Sequence, residues 1–445
     1  MEKTTIIVVS WNEKEALIRL STELSENCAE AQVIYVDNGS KDGTAEWISE
    51  TQKEYVIFDE GIQPMGKVLN TVVGKFLLNE NVVLMEPRCQ LGRKSMQRLV
   101  DALDIDERVG VVGACVSSGR SEQSLPITEA VQLDEIEEIR RNEKCFYTIA
   151  TVGACFALKR VLIETVGAFR EELATMDVMM DYQLRAIRKG FINRVACNVC
   201  VFDHGLGEQQ ELWINQLHNA DYGVLCQIWN MTYFSNTPHY PLVDMIQEKP
   251  DAELYVLEVG CDMGANLLGI KNRFPNAKVY GVEINENAAS IGKHILDIRC
   301  GNIESEDVDF GVKFDYIFFG DVLEHLHNPL KTITYCRSLL NENGRIVASI
   351  PNVMHVSVMA QLLRGEFHYT ETGLLDKTHI HLFTGREIQL MFREADYEVE
   401  ILQGIVYALG EAEYELIDKL VSISAENVTA SMYKIFQYLV VARKK

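Results

Sequence analysis

At 445 residues, with 47% hydrophobic and 24% charged side chains, the chain is too long for one ordinary core and too apolar to be disordered, so two domains of roughly 200 residues are expected. A formal net charge of -23 excludes nucleic acid as an expected partner, because holding phosphates takes an excess of Lys and Arg. No apolar run approaches the roughly 20 residues that span a bilayer, and the opening MEKTTIIVVSWNE is interrupted by Asn12 and Glu13 where a leader would stay apolar, so no transmembrane segment and a cytoplasmic location are expected.

The first segment, TTIIVVSWNEKEALIRLSTEL, reads as strand, polar turn and a helix with Ala16, Leu17, Leu20 and Leu24 at helical spacing. A second strand, QVIYVD, runs directly into DNGSKDGTAEWI. Such strand-helix-strand alternation predicts a largely parallel sheet, whose ligands bind at the carboxyl ends of the strands, where Asp37 stands. In DNGSKDGT, Asp37 is placed to accept hydrogen bonds from a base or ribose, Gly39 and Gly43 relax the backbone, and Ser40 or Asp42 can cap the next helix. The same residues also suit a capped turn with no ligand. Further on, VVLMEPRCQL is a buried strand running into a turn at Arg88, and DEIEEIRR can pair Glu137 with Arg140 or Arg141 along a helix face. Cys197 and Cys200, in CNVC, have metal-like spacing but no second pair, and read as part of a buried strand.

SWNE, VDNGSKDGT, MGKVLN, TVGACFALKR, GAFREE and LRAIRKGF, in order from about residue 4 to His204, resemble the family 2 glycosyltransferases. The resemblance implies a GT-A-like nucleotide-diphospho-sugar transferase fold, with a sugar-nucleotide site at Asp37, Asn38, Ser40, Asp42, Gly66, Asn70 and Arg88. Two positions depart from the family. Arg88 replaces an Asp that helps hold the metal bridging the diphosphate, and Val178 and Met179 replace a Glu-Asp pair whose Asp is the acceptor's base. A guanidinium pairs with phosphate directly, Glu86 lies two residues from the metal position, and Asp177 and Asp181 lie near the base position. Each residue along a helix turns the side chain by about 100°, so neither is an automatic replacement. His204 matches a His that the family often has near the metal. A divalent metal is therefore doubtful, and this domain is expected to bind a sugar nucleotide or acceptor rather than turn it over.

Residues 209–249 lose the alternation and are aromatic-rich; Trp213, Trp229, Tyr233 and Phe234 are expected to pack between domains. Then ELYVLEVGCDMGANLLGIKNRF gives a strand ending at Val259, a glycine turn and a helix, and KVYGVEIN puts Glu283 where an acid reaches ribose hydroxyls. A dinucleotide fingerprint would have a second glycine at Asp262. A carboxylate there repels a diphosphate but tolerates the sulfonium and amine of S-adenosylmethionine.

VLEVGCDMGANL, YGVEIN, CGNIES, FDYIFFGDVLEHLHNP, LLNENGRIVASIPN, GLLDKTHIHLFT and the closing YEVEIL and FQYLVVARK, over about residues 253–444, are similar to S-adenosylmethionine-dependent methyltransferases with a Rossmann-like fold. The resemblance implies a cofactor site of Glu258, Gly260, Gly264, Glu283, Asn302, Ile303 and Asp321. Asp321, Glu324 and His325 fall at i, i+3 and i+4, one face if helical; some ubiquinone-pathway O-methyltransferases hold a metal through a similar set, but a capped helix start is the preferred reading and no metal site is assigned. His379, with His325 second, is the expected proton acceptor, near Asp376 and His381 in a segment that covers the acceptor in this fold.

These readings give a two-domain α/β chain: a glycosyltransferase-like domain at 1–208, a helical connector at 209–249 and a methyltransferase domain at 250–445. The expected activity is S-adenosylmethionine-dependent methylation of a surface glycan or glycoconjugate, such as a glycoprotein. The alternatives are a bifunctional glycosyltransferase and methyltransferase, or a non-catalytic scaffold.

Overall fold

Thr4–Ser10 is buried at all seven positions, as a strand must be when both faces of a parallel sheet are covered. It pairs in parallel with Gln32–Asp37 on one side and Asn81–Met85 on the other, with Ser10 opposite Asp37, so the carboxyl ends of these strands lie together. The computed structural model describes residues 1, 3–119 and 123–445, in two compact units, Met1–Thr237 and Pro238–Lys445. In the first unit the sheet order is Tyr55–Ile57, Gln32–Asp37, Thr4–Ser10, Asn81–Met85, Cys155–Lys159, Val109–Val116, Ile192–Asp203 and Cys89–Leu91, with Phe146–Thr148 also on Ile192–Asp203. The helix Lys14–Asn27 buries Leu17, Leu20 and Leu24 against it.

Glu137 departs from the expected helix-face pairing with Arg140 or Arg141. Its carboxylate turns inward and accepts from Lys94 N at 3.0 Å and Ser95 Oγ at 3.0 Å, while Arg140 pairs with Glu143 and Arg141 with Glu138. Satisfying two donors at the start of the helix Ser95–Asp101 outweighs an exposed ion pair worth a few tenths of a kcal/mol. Residues 209–249 are divided between the units. Glu208–Trp229 is one helix of the first unit, and Tyr240–Val243 is a short helix of the second. Trp229 packs inside the first unit, donating its indole N–H to Asp181 at 3.2 Å.

The second unit is a seven-stranded sheet in the order Asp297–Cys300, Lys278–Glu283, Tyr255–Val259, Phe314–Gly320, Leu340–Pro351, Ile435–Lys444 and Tyr397–Val406. The first five strands run parallel and Ile435–Lys444 is antiparallel to both its neighbours. One apolar cluster joins Leu257, Phe319, Ile346 and Phe392, and a second joins Val256, Phe274, Phe318 and Val441, so each face of the sheet has its own core. The turns after Val259, Glu283 and Gly320 therefore gather at one edge. No helix of the described residues is long and apolar enough to cross a membrane.

Candidate functional site

Glu258 sits near the end of the strand Tyr255–Val259. The chain then turns through Gly260 (φ 69°), Asp262 (φ 49°) and Gly264 (φ 97°) into the helix Ala265–Arg273. A Cβ on Gly260 would stand 2.5 Å from Val322 Cγ2, and one on Gly264 would stand 2.5 Å from Leu296 Cδ1, so close packing and backbone conformation both demand glycine. The Asp262 amide donates to Glu283 Oε2 at 2.8 Å, and Asn285 N donates to Oε1 at 2.6 Å, so one carboxylate fixes two turns. Glu258 Oε1 accepts from Asn266 Nδ2 at 2.7 Å, whereas Oε2 is buried with no hydrogen-bond partner. Burial, reinforced by the Glu283 and Asp262 carboxylates against the Asn266 bond, pushes the Glu258 carboxyl up to about 8. An orphaned carboxylate oxygen in an acidic turn fits an ammonium group and opposes a phosphate. Asn302 spends its side-chain oxygen capping Ile303–Ser305, accepting from Glu304 N at 2.9 Å, and Ile303 is buried.

Asp321 does not share a helix face with Glu324 and His325. Its left-handed φ of 52° interrupts the chain, only the single 3-10 turn Leu323–His325 follows, and its Oδ1 accepts from Ser349 Oγ at 3.0 Å and from Gln437 Nε2. His379, from the distant covering segment, instead completes a group with Glu324 and His325 whose ligand atoms lie within 4.8 Å of one another. It is the one group of three or more His, Cys, Asp or Glu at metal-holding distance among the described residues. His379 Nδ1 contacts the Leu374 carbonyl at 3.2 Å, so Nδ1 carries the proton and Nε2, 3.9 Å from Glu324 Oε1, is left as an acceptor. Glu324 is 1% exposed and neither of its carboxylate oxygens has a hydrogen bond. Burial and then Asp321 push its carboxyl well up, and burial holds His379 below the usual imidazole value. His325 Nδ1 lies 3.1 Å from Thr378 O, and the amides of Ile380 and His381 both donate to the Glu324 backbone carbonyl at 3.0 Å. The segment at 378–381 is thus tied to the 3-10 turn Leu323–His325.

In the first unit, Asp37 is 1% exposed. Its Oδ2 accepts from Ser40 N at 3.2 Å, and its buried Oδ1 has no partner. The rest of its turn is engaged with neighbouring loops. Asn38 exchanges two hydrogen bonds with the Gln63 backbone, Ser40 Oγ accepts from Asn12 N at 2.8 Å, and Asp42 accepts from Lys14 N at 3.0 Å. Gly66 and Asn70 hold the loop at 169–171: a Cβ on Gly66 would stand 1.8 Å from Arg170 O, and Asn70 Oδ1 accepts from Phe169 N at 2.8 Å.

Arg88 faces a cavity of about 250 Å³, lined also by Ser10, Trp11, Glu13, Glu86, Asp177, Trp213 and His218. Its guanidinium is held by Asp203, Nε to Oδ1 at 3.0 Å, and by Glu86. Burial, with Glu86 adding, pushes Glu13 up to about 8. Val178 and Met179 are buried, and Asp181 is fully enclosed by Arg170 at 2.9 Å, Arg185 at 2.8 Å and the Trp229 indole. Asp177 instead lines the cavity and bonds His218 Nδ1 at 2.7 Å, which raises the imidazole pKa. His204 lines no part of this cavity and contacts Gln90 Oε1 at 2.9 Å.

Sequence reasoning missed Trp11, Glu13, His218 and His239 as site residues, placed Asp177 near the base position without its His218 partner, and expected Trp213 to pack between domains where it lines the cavity. The helix Glu208–Trp229 supplies Trp213, Ile214, Leu217 and His218 to the cavity. Their i, i+1, i+4, i+5 spacing was visible as a single helix face. His239 N donates to Asn266 Oδ1 at 2.6 Å, the same side chain that supports Glu258.

A family model described as a methyltransferase domain matches residues 239–402, and one described as glycosyl transferase family 2 matches residues 5–167. The ubiquinone biosynthesis O-methyltransferase of Dechloromonas aromatica is 26% identical over 168 residues, covering 36% of this chain and 72% of that protein. Among solved structures, GalNAc-T7 with UDP, GalNAc and Mn2+ superposes with a TM-score of 0.37 at 14% identity, covering 45% of this chain and 43% of that one, less than half its length. The plantazolicin methyltransferase BpumL with a triazolic desmethylPZN analog and SAH gives 0.32 at 14% identity, covering 46% and 81%.

Proposed function

Because the chain joins a family 2 glycosyltransferase domain to a methyltransferase domain, we propose that it methylates a surface glycan or glycoconjugate from S-adenosylmethionine, while its first unit binds sugar nucleotide or the acceptor's carbohydrate. The observation that carries the donor assignment is Glu258, whose buried, unpartnered Oε2 lies in a turn bordered by Asp262 and Glu283. In this reading Oε2 receives the donor's ammonium, Gly260 and Gly264 admit it to the backbone, Glu283 meets its ribose, and Asn302 and Ile303 flank its adenine. The bound donor supplies an electrophilic methyl carbon, and the protein's part is to hold a nucleophile in line with it and take up its proton. His379 Nε2 takes a hydroxyl proton, with Nδ1 fixed on Leu374 and with His325 and Thr378 positioning the covering segment.

A second reading of this cluster is favoured by Glu324, both of whose oxygens are buried without a hydrogen bond. Glu324, His325 and His379 would then hold a divalent cation. Dialysis against a chelator separates the two, since only the second loses activity and regains it with added metal.

The first unit is read as a binding module because Val178 and Met179 stand at the base position and the acids around Arg88 are committed: Glu86 and Asp203 to Arg88 itself, with Asp181 held by two arginines. Mass spectrometry of the native glycan with and without the gene tests the whole reading. A deficit of about 14 mass units marks methylation alone. Loss of a whole sugar favours the bifunctional alternative, and an unchanged glycan refutes both.

A further inference from the structure

We propose that the cavity of the first unit is a metal-independent site for an uncharged saccharide, the sugar of the acceptor rather than a nucleotide-activated donor. This rests on the reading that the first unit binds carbohydrate. Arg88 occupies the position at which the family resemblance implies a metal-holding Asp, and it is already bonded to Asp203 and Glu86. A guanidinium shared by two carboxylates has little net charge left for a diphosphate. The other cationic group of the lining, His218, is paired with Asp177, and Glu13 offers no positive charge, so a diphosphate would find no cation there that is not already held by a carboxylate.

Size points the same way. About 250 Å³ lies below the roughly 300–1,000 Å³ of pockets for drug-sized ligands, which suits one sugar ring and not a nucleoside diphosphate with its sugar.

The lining has the chemistry a neutral polyol needs. Trp11 and Trp213, with ring centroids 4.4 Å apart, offer an aromatic surface for the C–H face of a sugar ring. Ser10 lines the cavity at 1% exposure, and its hydroxyl has no hydrogen-bond partner. His218 is oriented by Asp177 through Nδ1, which leaves Nε2 for a ligand hydroxyl. Hydroxyls both donate and accept, so they can satisfy Ser10, His218 and the Asp177 carboxylate together.

Isothermal titration of the full-length chain in EDTA, first with methyl glycosides of neutral hexoses and N-acetylhexosamines and then with UDP-glucose and UDP-N-acetylglucosamine plus Mn2+, tests this. At least one methyl glycoside should bind in EDTA with an affinity that Mn2+ does not change. Trp213→Ala should weaken that binding about tenfold, the equivalent of about 1.4 kcal/mol. Ser10→Ala gives a variant that folds, since it removes a buried unpartnered hydroxyl, and should weaken binding roughly fivefold with the melting temperature held or raised. Glycoside binding that ignores both substitutions overturns the inference. Mn2+-dependent UDP-sugar binding also overturns it but leaves the carbohydrate reading standing. If neither ligand class binds to protein that still takes up S-adenosylhomocysteine, that reading falls as well.

Discussion

Glu258→Gln separates stability from donor binding in the second unit. The Glu258 carboxyl, ordinarily near 4.5, is pushed up to about 8 by burial, with the Glu283 and Asp262 carboxylates adding to the effect. A carboxyl raised on folding binds its proton more tightly in the folded state, so it costs no stability below the unfolded value. The cost grows as pH rises from about 4.5 and levels off above about 8. At pH 7 roughly 2.5 pH units of that rise have accrued, which at about 1.36 kcal/mol per unit is about 3 kcal/mol. Glutamine is neutral at every pH and keeps an oxygen for Asn266 Nδ2. The ligand-free variant should therefore be more stable at pH 7 by up to about 3 kcal/mol, raising the midpoint of the second unit by roughly 6–10 °C, and the difference should shrink towards pH 4.5. Without the carboxylate, binding of S-adenosylhomocysteine should be lost. In the wild type, a ligand ammonium needs Glu258 ionised, so affinity should fall roughly tenfold for each pH unit below about 8. Calorimetry in two buffers of different ionisation enthalpy should show a proton released on binding. An affinity that is flat from pH 6 to 9, or a glutamine variant that binds as the wild type does, would refute the assignment of Oε2 to the ammonium.

His379→Asn should lower methyl transfer by roughly 10²–10⁴-fold with S-adenosylhomocysteine affinity unchanged; an unaltered rate removes it from proton transfer. Asp181→Ala strands Arg170 and Arg185 and should destabilise the first unit by about 3–5 kcal/mol, seen by calorimetry as a shift in its transition, while donor binding by the second unit stays intact. A small shift would mean that Asp181 is not the anchor its enclosure implies. Gly66→Ala forces a Cβ to within 1.8 Å of Arg170 O and should cost about 1–3 kcal/mol as the helix and the 169–171 loop separate. Unchanged stability would mean the two yield freely.

What could be read from the sequence was what local spacing decides. Strands such as TTIIVVS and VLEV followed by glycine turns and amphipathic helices foretold two α/β sheets, and the same local logic put Glu258, Gly260, Gly264 and Glu283 at one edge of the second sheet. Both sheets are mixed where largely parallel ones were expected: Cys155–Lys159 runs antiparallel to both its neighbours in the first and Ile435–Lys444 does so in the second. Pairings across long stretches of chain were not legible. Glu324 and His379 meet over 55 residues of separation, Asp177 and His218 over 41, and Arg88 and Asp203 over 115. None of these meetings leaves a periodic trace, because each depends on which loops the sheets bring together. At Asp321 neither the conditional shared face nor the preferred capped helix start is found: i, i+3, i+4 implies one face only while the chain keeps helical dihedrals, a φ of 52° at Asp321 ends that condition, and the 3-10 turn that follows is preceded by Val322. Burial separates the acids that sequence proximity left equivalent. Asp177 and Asp181 lie one helical turn apart, yet Asp181, fully enclosed, is consumed by two guanidinium groups and an indole, whereas Asp177, one-third exposed at the helix start, turns a histidine toward the cavity. A carboxylate can serve a ligand only where the fold has not already neutralised it. By that criterion Asp177, paired only with a histidine, and the orphaned oxygen of Asp37 remain open to a ligand, whereas Glu86, Asp203 and Asp181 are given to the unit's own arginines.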